Sequence, residues 1–228
     1  MRISILSASV WEMRRTVAAL GLLSVDKKTF EGGTGKHEVR LRLTGMGEES
    51  SREAAKTAGQ SPLDLVLAAG FAGSLRGDIH PGDIVLDIAR SDSKLADALA
   101  DASEKLGIPC HKGTFYSSGR ILMKSDEKKK LGEKSGAIAV EMESQAIFEA
   151  FSGKKIPLLF ARAVSDGMDQ NLPDLSGILG GNGELRVASL LKLIARPSQW
   201  ADFIRLVRGS SKAGRNLARV LKEFIAHV

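Results

Sequence analysis

The chain has 228 residues, a length that fits one domain with a substantial buried core. Hydrophobic residues make up 43% of it, and no apolar run approaches the roughly 20 residues that cross a bilayer. The first residues predict a strand and contain no long apolar secretory segment. Together with the single cysteine, Cys110, this favours a reducing, cytoplasmic location.

The net charge of +6 is unevenly distributed along the chain. Residues from Arg186 onward carry a balance of +7, whereas residues 1–185 carry −1. Aromatic residues, which stack on exposed bases, make up only 5%, so the basic end does not indicate a nucleic-acid partner. A basic amphipathic helix there predicts either weak contact with an anionic membrane surface or an apolar side packed on the core.

Strand and helix patterns alternate through most of the chain. Apolar and alternating runs predict strands at residues 3–6, 39–43, 63–68, 84–86, 113–116, 137–140 and 158–161. Apolar residues at helical spacing predict helices at 12–22, 49–59, 91–106, 125–133 and 144–151. A glycine-rich segment at 177–183 precedes further helical stretches at 185–195, 198–207 and 212–226. The pattern predicts one α/β domain over residues 1–228, with helices on both faces of a sheet and a basic helical extension from about 184.

Charged residues follow two of the predicted buried strands. Val140-Glu141-Met142-Glu143 closes the strand at 137–140, and Arg162, Ser165 and Asp166 follow the strand at 158–161. Buried charges cost several kcal/mol in desolvation unless they are paired or bind a ligand. Because ligands bind at the carboxyl ends of strands in open α/β sheets, the two strand ends predict one site.

The residue types at this site favour glycoside chemistry. Glu141 and Glu143 can accept hydrogen bonds from adjacent ribose hydroxyls, and Met142 offers an apolar surface to the sugar. Asp166 can protonate a leaving group, with Ser165 and Arg162 to orient it. An acid acting together with carboxylates around a cationic sugar is the pattern of glycoside cleavage. The alternative is that the two glutamates only favour the dipole of the helix that begins after them.

With these motifs the chain resembles the nucleoside phosphorylase superfamily, specifically the branch of methylthioadenosine/adenosylhomocysteine nucleosidases. The similar segments occur in family order over roughly residues 1–175. They are Ile5-Leu6-Ser7-Ala8 with Glu12, Thr44-Gly45-Met46-Gly47, Gly70 to Leu75, Gly82 to Val85, Ala137 to Glu143 and Arg162 to Asp166. The resemblance implies a mixed, partly barrel-like central sheet flanked by helices. It also implies cleavage of a purine N-ribosidic bond by a homodimer that needs no cofactor.

The resemblance further implies a role for each matching residue. Asp166 corresponds to the acid that protonates purine N7, and Ser165 supports it. Glu143 corresponds to the residue that binds the ribose hydroxyls, Met142 packs on the sugar, and Glu12 activates water. The remaining predicted substrate-binding residues are Glu141, Val140, Leu122, Ile121, Phe71, Met46 and Arg162.

Some positions depart from the pattern of the nucleosidases. Phe71 replaces a small hydroxyl residue, and Ile121 replaces the phenylalanine that stacks on the base. The segment between Asp87 and Ser91 is short, which predicts a more open pocket and a larger 5′ substituent. These departures leave open a protein that binds a nucleoside without cleaving it.

Phosphorolysis is the alternative to hydrolysis. Arg14 and Arg15 lie near Glu12, where phosphorolytic relatives bind the phosphate that would then be the co-substrate. Arg196-Pro197 with Trp200, Phe203 and Leu206 resembles the hopanoid-associated phosphorylases, whose substrate is an adenosyl group on a lipid.

Two other sets of polar residues indicate no further chemistry. Histidines 37, 80, 111 and 227 lack the spacing of metal ligands, so no metal is predicted. The run Lys128-Lys129-Lys130 predicts a solvated helix face.

Overall fold

A computed structural model describes residues 1–173 and 199–228. The strands are β1 (Arg2–Ser7), β2 (Leu23–Ser24), β3 (Thr29–Thr34), β4 (His37–Leu43), β5 (Leu65–Ser74), β6 (Ile84–Asp87), β7 (Cys110–Gly113), β8 (Phe115–Ser117), β9 (Ala139–Glu141) and β10 (Leu158–Asp166). The helices are α1 (Val10–Leu20), α2 (Glu48–Ala58), α3 (Ser93–Lys105), α4 (Ser125–Ser135), α5 (Ser144–Ala150) and α6 (Trp200–His227). The alternation of strands and helices agrees with the α/β class predicted from the sequence.

The strands form one mixed sheet in the order β2-β3-β4-β1-β5-β10-β6-β7. Strand β5 is central, because it runs parallel to β1 and β10 and also pairs antiparallel with β9. The strand predicted at 113–116 is in fact two, since the chain bends at Thr114 between β7 and β8. Neighbouring strands pair along the path β5, β10, β6 and β7, and the chain then continues through Thr114 into β8. Because β8 pairs with β9 and β9 pairs with β5, the path closes into a ring. This ring is the partly barrel-like sheet that was expected.

Successive residues of β5 point to opposite faces of the sheet and enter two different cores. Leu65 and Leu67 belong to the core that α1, α3 and α6 cover. Val66 and Ala68 belong to the core that contains residues of α2 and α5. Helices therefore cover both faces, as predicted. No helix within residues 1–173 or 199–228 is long and apolar enough to cross a membrane.

Strand β10 continues through Asp166, well past its predicted end at residue 161. Arg162 does not interrupt it, because its guanidinium donates to the carbonyl of Ala68 (2.7 Å) and to Glu141 (3.1 Å). With these partners a buried arginine is compatible with the interior of a strand. Arg162, Ser165 and Asp166 thus belong to the sheet itself.

The helices predicted at 198–207 and 212–226 are one continuous helix, α6. At Gly209 the helix passes so close to β10 that a Cβ would lie 2.1 Å from the carbonyl oxygen of Ser165. Its predicted core face is correct, since Leu217, Val220, Leu221 and Phe224 are buried. The helix predicted at 185–195 and the glycine-rich segment at 177–183 lie outside the described residues.

Candidate active site

A cavity of about 260 Å³ lies where β5, β9 and β10 meet α1 and α6. It brings together eleven of the twelve predicted site residues. These are Glu12, Met46, Phe71, Ile121, Leu122, Val140, Glu141, Met142, Glu143, Ser165 and Asp166. Arg162 lies behind the cavity wall, bonded to Glu141 and to the backbone of β5.

Glu12, on the first turn of α1, is directed toward β5. Its Oε2 accepts a hydrogen bond from the Ser7 hydroxyl (3.1 Å), and a Cβ on Gly70 would lie 2.3 Å from the same oxygen. Burial and then repulsion from Glu143 raise the pKa of Glu12 to about 8, although Arg162 and Ser7 oppose the shift. Glu12 therefore keeps its proton to a higher pH than an exposed glutamate does.

The Glu141 carboxylate is engaged in hydrogen bonds with neighbouring groups of the protein. It accepts hydrogen bonds from the Ser117 hydroxyl (2.5 Å), from the backbone N–H of Ser144 (2.8 Å) and from that of Glu143 (3.0 Å). Burial alone would raise its pKa, but the charge of Arg162 and these hydrogen bonds outweigh burial and hold the pKa below its usual range. Glu141 thus stabilises the start of α5, as the dipole interpretation predicted for both glutamates.

Glu143 occupies the N-cap position of α5, yet its side chain caps no N–H of that helix. It turns instead toward the loop before α2, where Oε1 accepts from the backbone N–H of Gly47 (3.2 Å). Burial and the charge of Glu141 raise the pKa of Glu143 to about 7. Oε2 accepts from the backbone N–H of Met142 (3.3 Å), and because each carboxylate oxygen can accept more than one hydrogen bond, Glu143 can also bind hydroxyl groups of a ligand in the cavity that it lines.

Asp166 is held from two sides at the end of β10. The Ser165 hydroxyl donates to Oδ1 (2.6 Å), and the Lys128 ammonium donates to Oδ2. On β5, a Cβ at Gly73 would lie 3.0 Å from Oδ2, so glycine leaves room for the carboxyl. The carboxyl is thus fixed in the cavity with a cation beside it.

The prediction of a solvated face for the lysine run is wrong for Lys128, which is fully buried, and correct for the exposed Lys129 and Lys130. Because Lys128 is three residues before Leu131, the two side chains lie on the same side of α4. That spacing is the sequence signal that distinguishes Lys128 from its neighbours.

The mouth of the cavity is apolar, and sequence analysis did not assign its residues to the site. It includes Trp11, Leu172, Phe203, Leu206 and Val207.

The two arginines near Glu12 are engaged elsewhere. Arg14 stacks on the Trp11 ring (5.0 Å to its centre), and Arg15 donates to the Ser211 hydroxyl (3.1 Å). Neither side chain lines the cavity, so their predicted association with a phosphate gains no support from their positions. Within the described ranges, no group of three or more His, Cys, Asp or Glu is placed to hold a metal ion.

A family model described as the phosphorylase superfamily matches residues 86–194, a segment that contains Glu141, Glu143 and Asp166. Over this segment the chain is similar to the phosphorylase superfamily. A 5′-methylthioadenosine/S-adenosylhomocysteine nucleosidase from Buchnera aphidicola is 25% identical over 202 residues, which cover 75% of this chain and 86% of the relative. The family resemblance seen in the motifs is thereby confirmed.

Solved structures share the fold along the whole chain. A futalosine hydrolase from Helicobacter pylori has a TM-score of 0.76 at 16% identity and covers 100% of this chain and 98% of its own. A 5′-methylthioadenosine/S-adenosylhomocysteine nucleosidase from Neisseria meningitidis, in complex with methylthio-immucillin-A, has a TM-score of 0.75 at 19% identity, with coverages of 100% and 99%. The mixed sheet flanked by helices is therefore the fold of this group.

Proposed function

We propose that the protein hydrolyses the N-ribosidic bond of an adenine nucleoside that carries a variable 5′ group. The observation that carries this proposal is the meeting of Glu12, Glu143 and Asp166 in one cavity. The three carboxyl groups supply a base, a ribose ligand and an acid, which are the groups that glycoside cleavage requires. Among the relatives, the nucleosidases and the futalosine hydrolase support water as the nucleophile, whereas a DeoD-type purine nucleoside phosphorylase is 30% identical over 114 residues.

In the proposed reaction the bond between ribose and purine breaks, and its electron pair moves to the base. Asp166, oriented by Ser165, delivers a proton to N7 of the departing purine. Glu143 and Met142 hold the ribose, whose anomeric carbon becomes cationic. Glu12 takes a proton from the water that attacks this carbon, and its pKa of about 8 is close to the value that suits a general base at neutral pH.

The other lining residues position the nucleoside. Ile121 and Leu122 border the purine, and Phe71 and Met46 border the sugar. Glu141 and Arg162 act indirectly in this proposal, because each has its polar atoms bonded to protein groups. Their ion pair fixes β9 to β10 and so sets the distance between Glu143 and Asp166.

The apolar mouth favours a second candidate, in which the 5′ group is large and lipid-like. Trp11, Leu206 and Val207 would contact such a group where it leaves the cavity. A substrate of this kind resides in a membrane, so α6 would then touch an anionic membrane surface weakly. The experiment below also tests whether phosphate, in place of water, cleaves the bond.

The deciding experiment measures base release from methylthioadenosine, adenosylhomocysteine, adenosine and inosine, each with and without phosphate. Adenine release without phosphate supports hydrolysis, and release only with phosphate supports phosphorolysis. Asp166→Asn should lower kcat by about 10²- to 10⁴-fold, the usual contribution of a general acid, and retain nucleoside binding. Binding without release by the wild type, for every nucleoside tried, would favour a protein that only binds nucleosides.

A further inference from the structure

The protein supplies a hydrogen-bond acceptor for each N–H of the Lys128 ammonium group. Its Nζ donates to Oδ2 of Asp166, to the carbonyl of Gly167 (3.0 Å) and to the carbonyl of Gln170 (3.0 Å). An ammonium has three N–H donors, and here each finds an acceptor. The side chain is fully buried, so it makes these bonds inside the protein and adjoins the cavity.

The contacts of α4 hold Lys128 at this place. A Cβ on Gly132 would lie 2.5 Å from the carbonyl oxygen of Leu75, so glycine lets the helix approach the end of β5 closely. The backbone N–H of Ser125 donates to the Asn171 side chain (3.0 Å), and that of Leu172 donates to the carbonyl of Met123 (2.8 Å). The start of α4 is thus tied to the segment after β10, and the lysine bridges the two.

Burying a lysine is unfavourable unless a partner compensates its charge, and Asp166 is that partner. The two other acceptors are backbone carbonyls, which are not bases. Of the three protons on Nζ, only the one directed at Asp166 can therefore move to its acceptor. The pair joins a proton donor to the carboxyl that is proposed to serve the leaving base.

We propose that Lys128 supplies, through Asp166, the proton that the departing purine takes up. This inference rests on the proposed function. Asp166 begins as a carboxylate; as the bond between ribose and purine breaks, Lys128 passes a proton to Oδ2 and Asp166 passes a proton on to the base. Lys128 is left as a neutral amine and Asp166 as a carboxylate. The attacking water leaves its second proton on Glu12, and exchange with solvent after product release restores Lys128 and Glu12.

Two substitutions separate proton supply from simple charge pairing. Lys128→Met removes both, and kcat for adenosine should fall about 10- to 100-fold with KM changed less than about threefold. Lys128→Arg keeps a positive charge, but a guanidinium does not give up its proton, so this variant should be nearly as slow. Lys129→Met, the same change on an exposed neighbour, should match the wild type.

Leaving-group acidity provides a readout that a structural defect would not change. A more acidic base departs with less help from a proton, so the loss in Lys128→Met should be larger for adenosine than for 6-chloropurine riboside. In the Asp166→Asn background, Lys128→Met should cost no more than about twofold, because the lysine acts through the aspartate. Thermal unfolding checks that each variant is folded, and Lys128→Gln replaces the Met variant if that one is not.

Near wild-type turnover by Lys128→Arg would overturn the proposal, since charge alone would then suffice. An equal loss for both leaving groups, or a further large loss in the Asp166→Asn background, would also overturn it. Wild-type turnover that collapses in Asp166→Asn but persists in Lys128→Met would remove the role of Lys128 and leave the proposed function standing. A wild type that releases no base would overturn the proposed function, and this inference with it.

Discussion

Three glutamates lie around one site, two of them buried and Glu12 partly buried, and their pKa values diverge because their neighbours differ. Glu141 faces Arg162 and several hydrogen-bond donors, which hold its pKa low in spite of burial. Glu12 and Glu143 have fewer donors, and burial raises their pKa values to about 8 and about 7, with repulsion from Glu143 adding to the shift of Glu12 and repulsion from Glu141 adding to that of Glu143. The same residue type is thus a fixed anion at one position and an exchangeable proton site at two others.

The pKa of Glu12 predicts the pH dependence of catalysis. A base acts when it has lost its proton, so kcat/KM for adenosine should rise with pH until about pH 8 and then level off. Glu12→Gln should be slower by about 10²-fold or more and should lose this rising limb. A wild-type profile that stays flat between about pH 6 and pH 9 would contradict Glu12 as the base.

The pH dependence of folding stability provides a second measurement of the pKa of Glu12. A raised pKa in the folded state means that Glu12 stabilises the fold fully below its ordinary value of 4.5, and that this contribution is lost as the pH rises through about 8. Relative to Glu12→Gln, the wild type should therefore lose about 4 kcal/mol in its free energy of unfolding between about pH 5 and pH 9. Urea denaturation at both pH values measures the difference.

Gly70 leaves the space that Glu12 needs. A methyl group at Gly70 would lie 2.3 Å from the Glu12 carboxylate, so Gly70→Ala should displace that side chain and lower kcat about 10- to 100-fold. Gly33→Ala is a suitable control, because its Cβ meets nothing within 4 Å. Steady-state rates of both variants test the prediction, and equal rates would show that the position of Glu12 does not matter.

Many single residues of the site were predictable, because charged residues next to apolar strand segments do not contribute to a hydrophobic core and are easily recognised in a sequence. Glu143 and Asp166 follow apolar strand segments, where burial requires a reason. Lys128 was not predictable in the same way, since one lysine in a run of three has the composition of a solvated surface. The spacing between Lys128 and Leu131 indicates which lysine lies on the inner side of α4, but only the packing of α4 against β5 shows that this side chain is buried.

At the scale of elements, local patterns located the strands and helices, and tertiary contacts set their ends. Strand β10 extends past its predicted end because Glu141 compensates Arg162 from another strand. Helix α6 continues through Gly209, although glycine weakens helices, because the glycine lets the helix pass over β10. No pattern within either segment contains that information.

The close passage of α6 predicts opposite effects for two glycines in the same helix. Gly209→Ala would place a methyl group 2.1 Å from the backbone of Ser165, so it should lower the free energy of unfolding by about 1–3 kcal/mol or more. For Gly214→Ala the nearest atom is 3.4 Å away, an ordinary contact, and the gain in helix propensity should make the change neutral or stabilising by up to about 1 kcal/mol. Thermal and urea unfolding of both variants provide the comparison. A Gly209→Ala variant as stable as the wild type would show that α6 is free to move away from β10.

At the scale of the whole molecule, one side carries large apolar side chains that contact water. Arg90 donates to the carbonyl of Phe115 and to Gln145, which places the segment after β6 beside β8 and α5. From these three elements Ile88, Tyr116 and Phe148 are exposed by 53%, 42% and 37%. We propose this side as the interface of the homodimer that the family resemblance implies.

Sedimentation velocity tests the dimer. The wild type should sediment as a dimer, and a Tyr116→Glu/Phe148→Glu double variant should sediment as a monomer, because the interface would have to bury two charges. Leu23→Glu, a charge placed at a 76% exposed position on β2, should leave the dimer intact. A monomeric wild type would remove the proposal. The limits of the single domain, with its basic extension from about residue 184, stay a prediction.

The late position of α6 in the sequence affects the order in which the protein folds during synthesis. Its side chains Phe203, Leu206 and Val207 form one wall of the cavity, and its later residues fill the core beside β10. Translation delivers all ten described strands before this helix, so a nascent chain on the ribosome has a bare apolar sheet face and an unfinished pocket. The cavity is therefore complete only after the last described element has been synthesised and has packed beside β10.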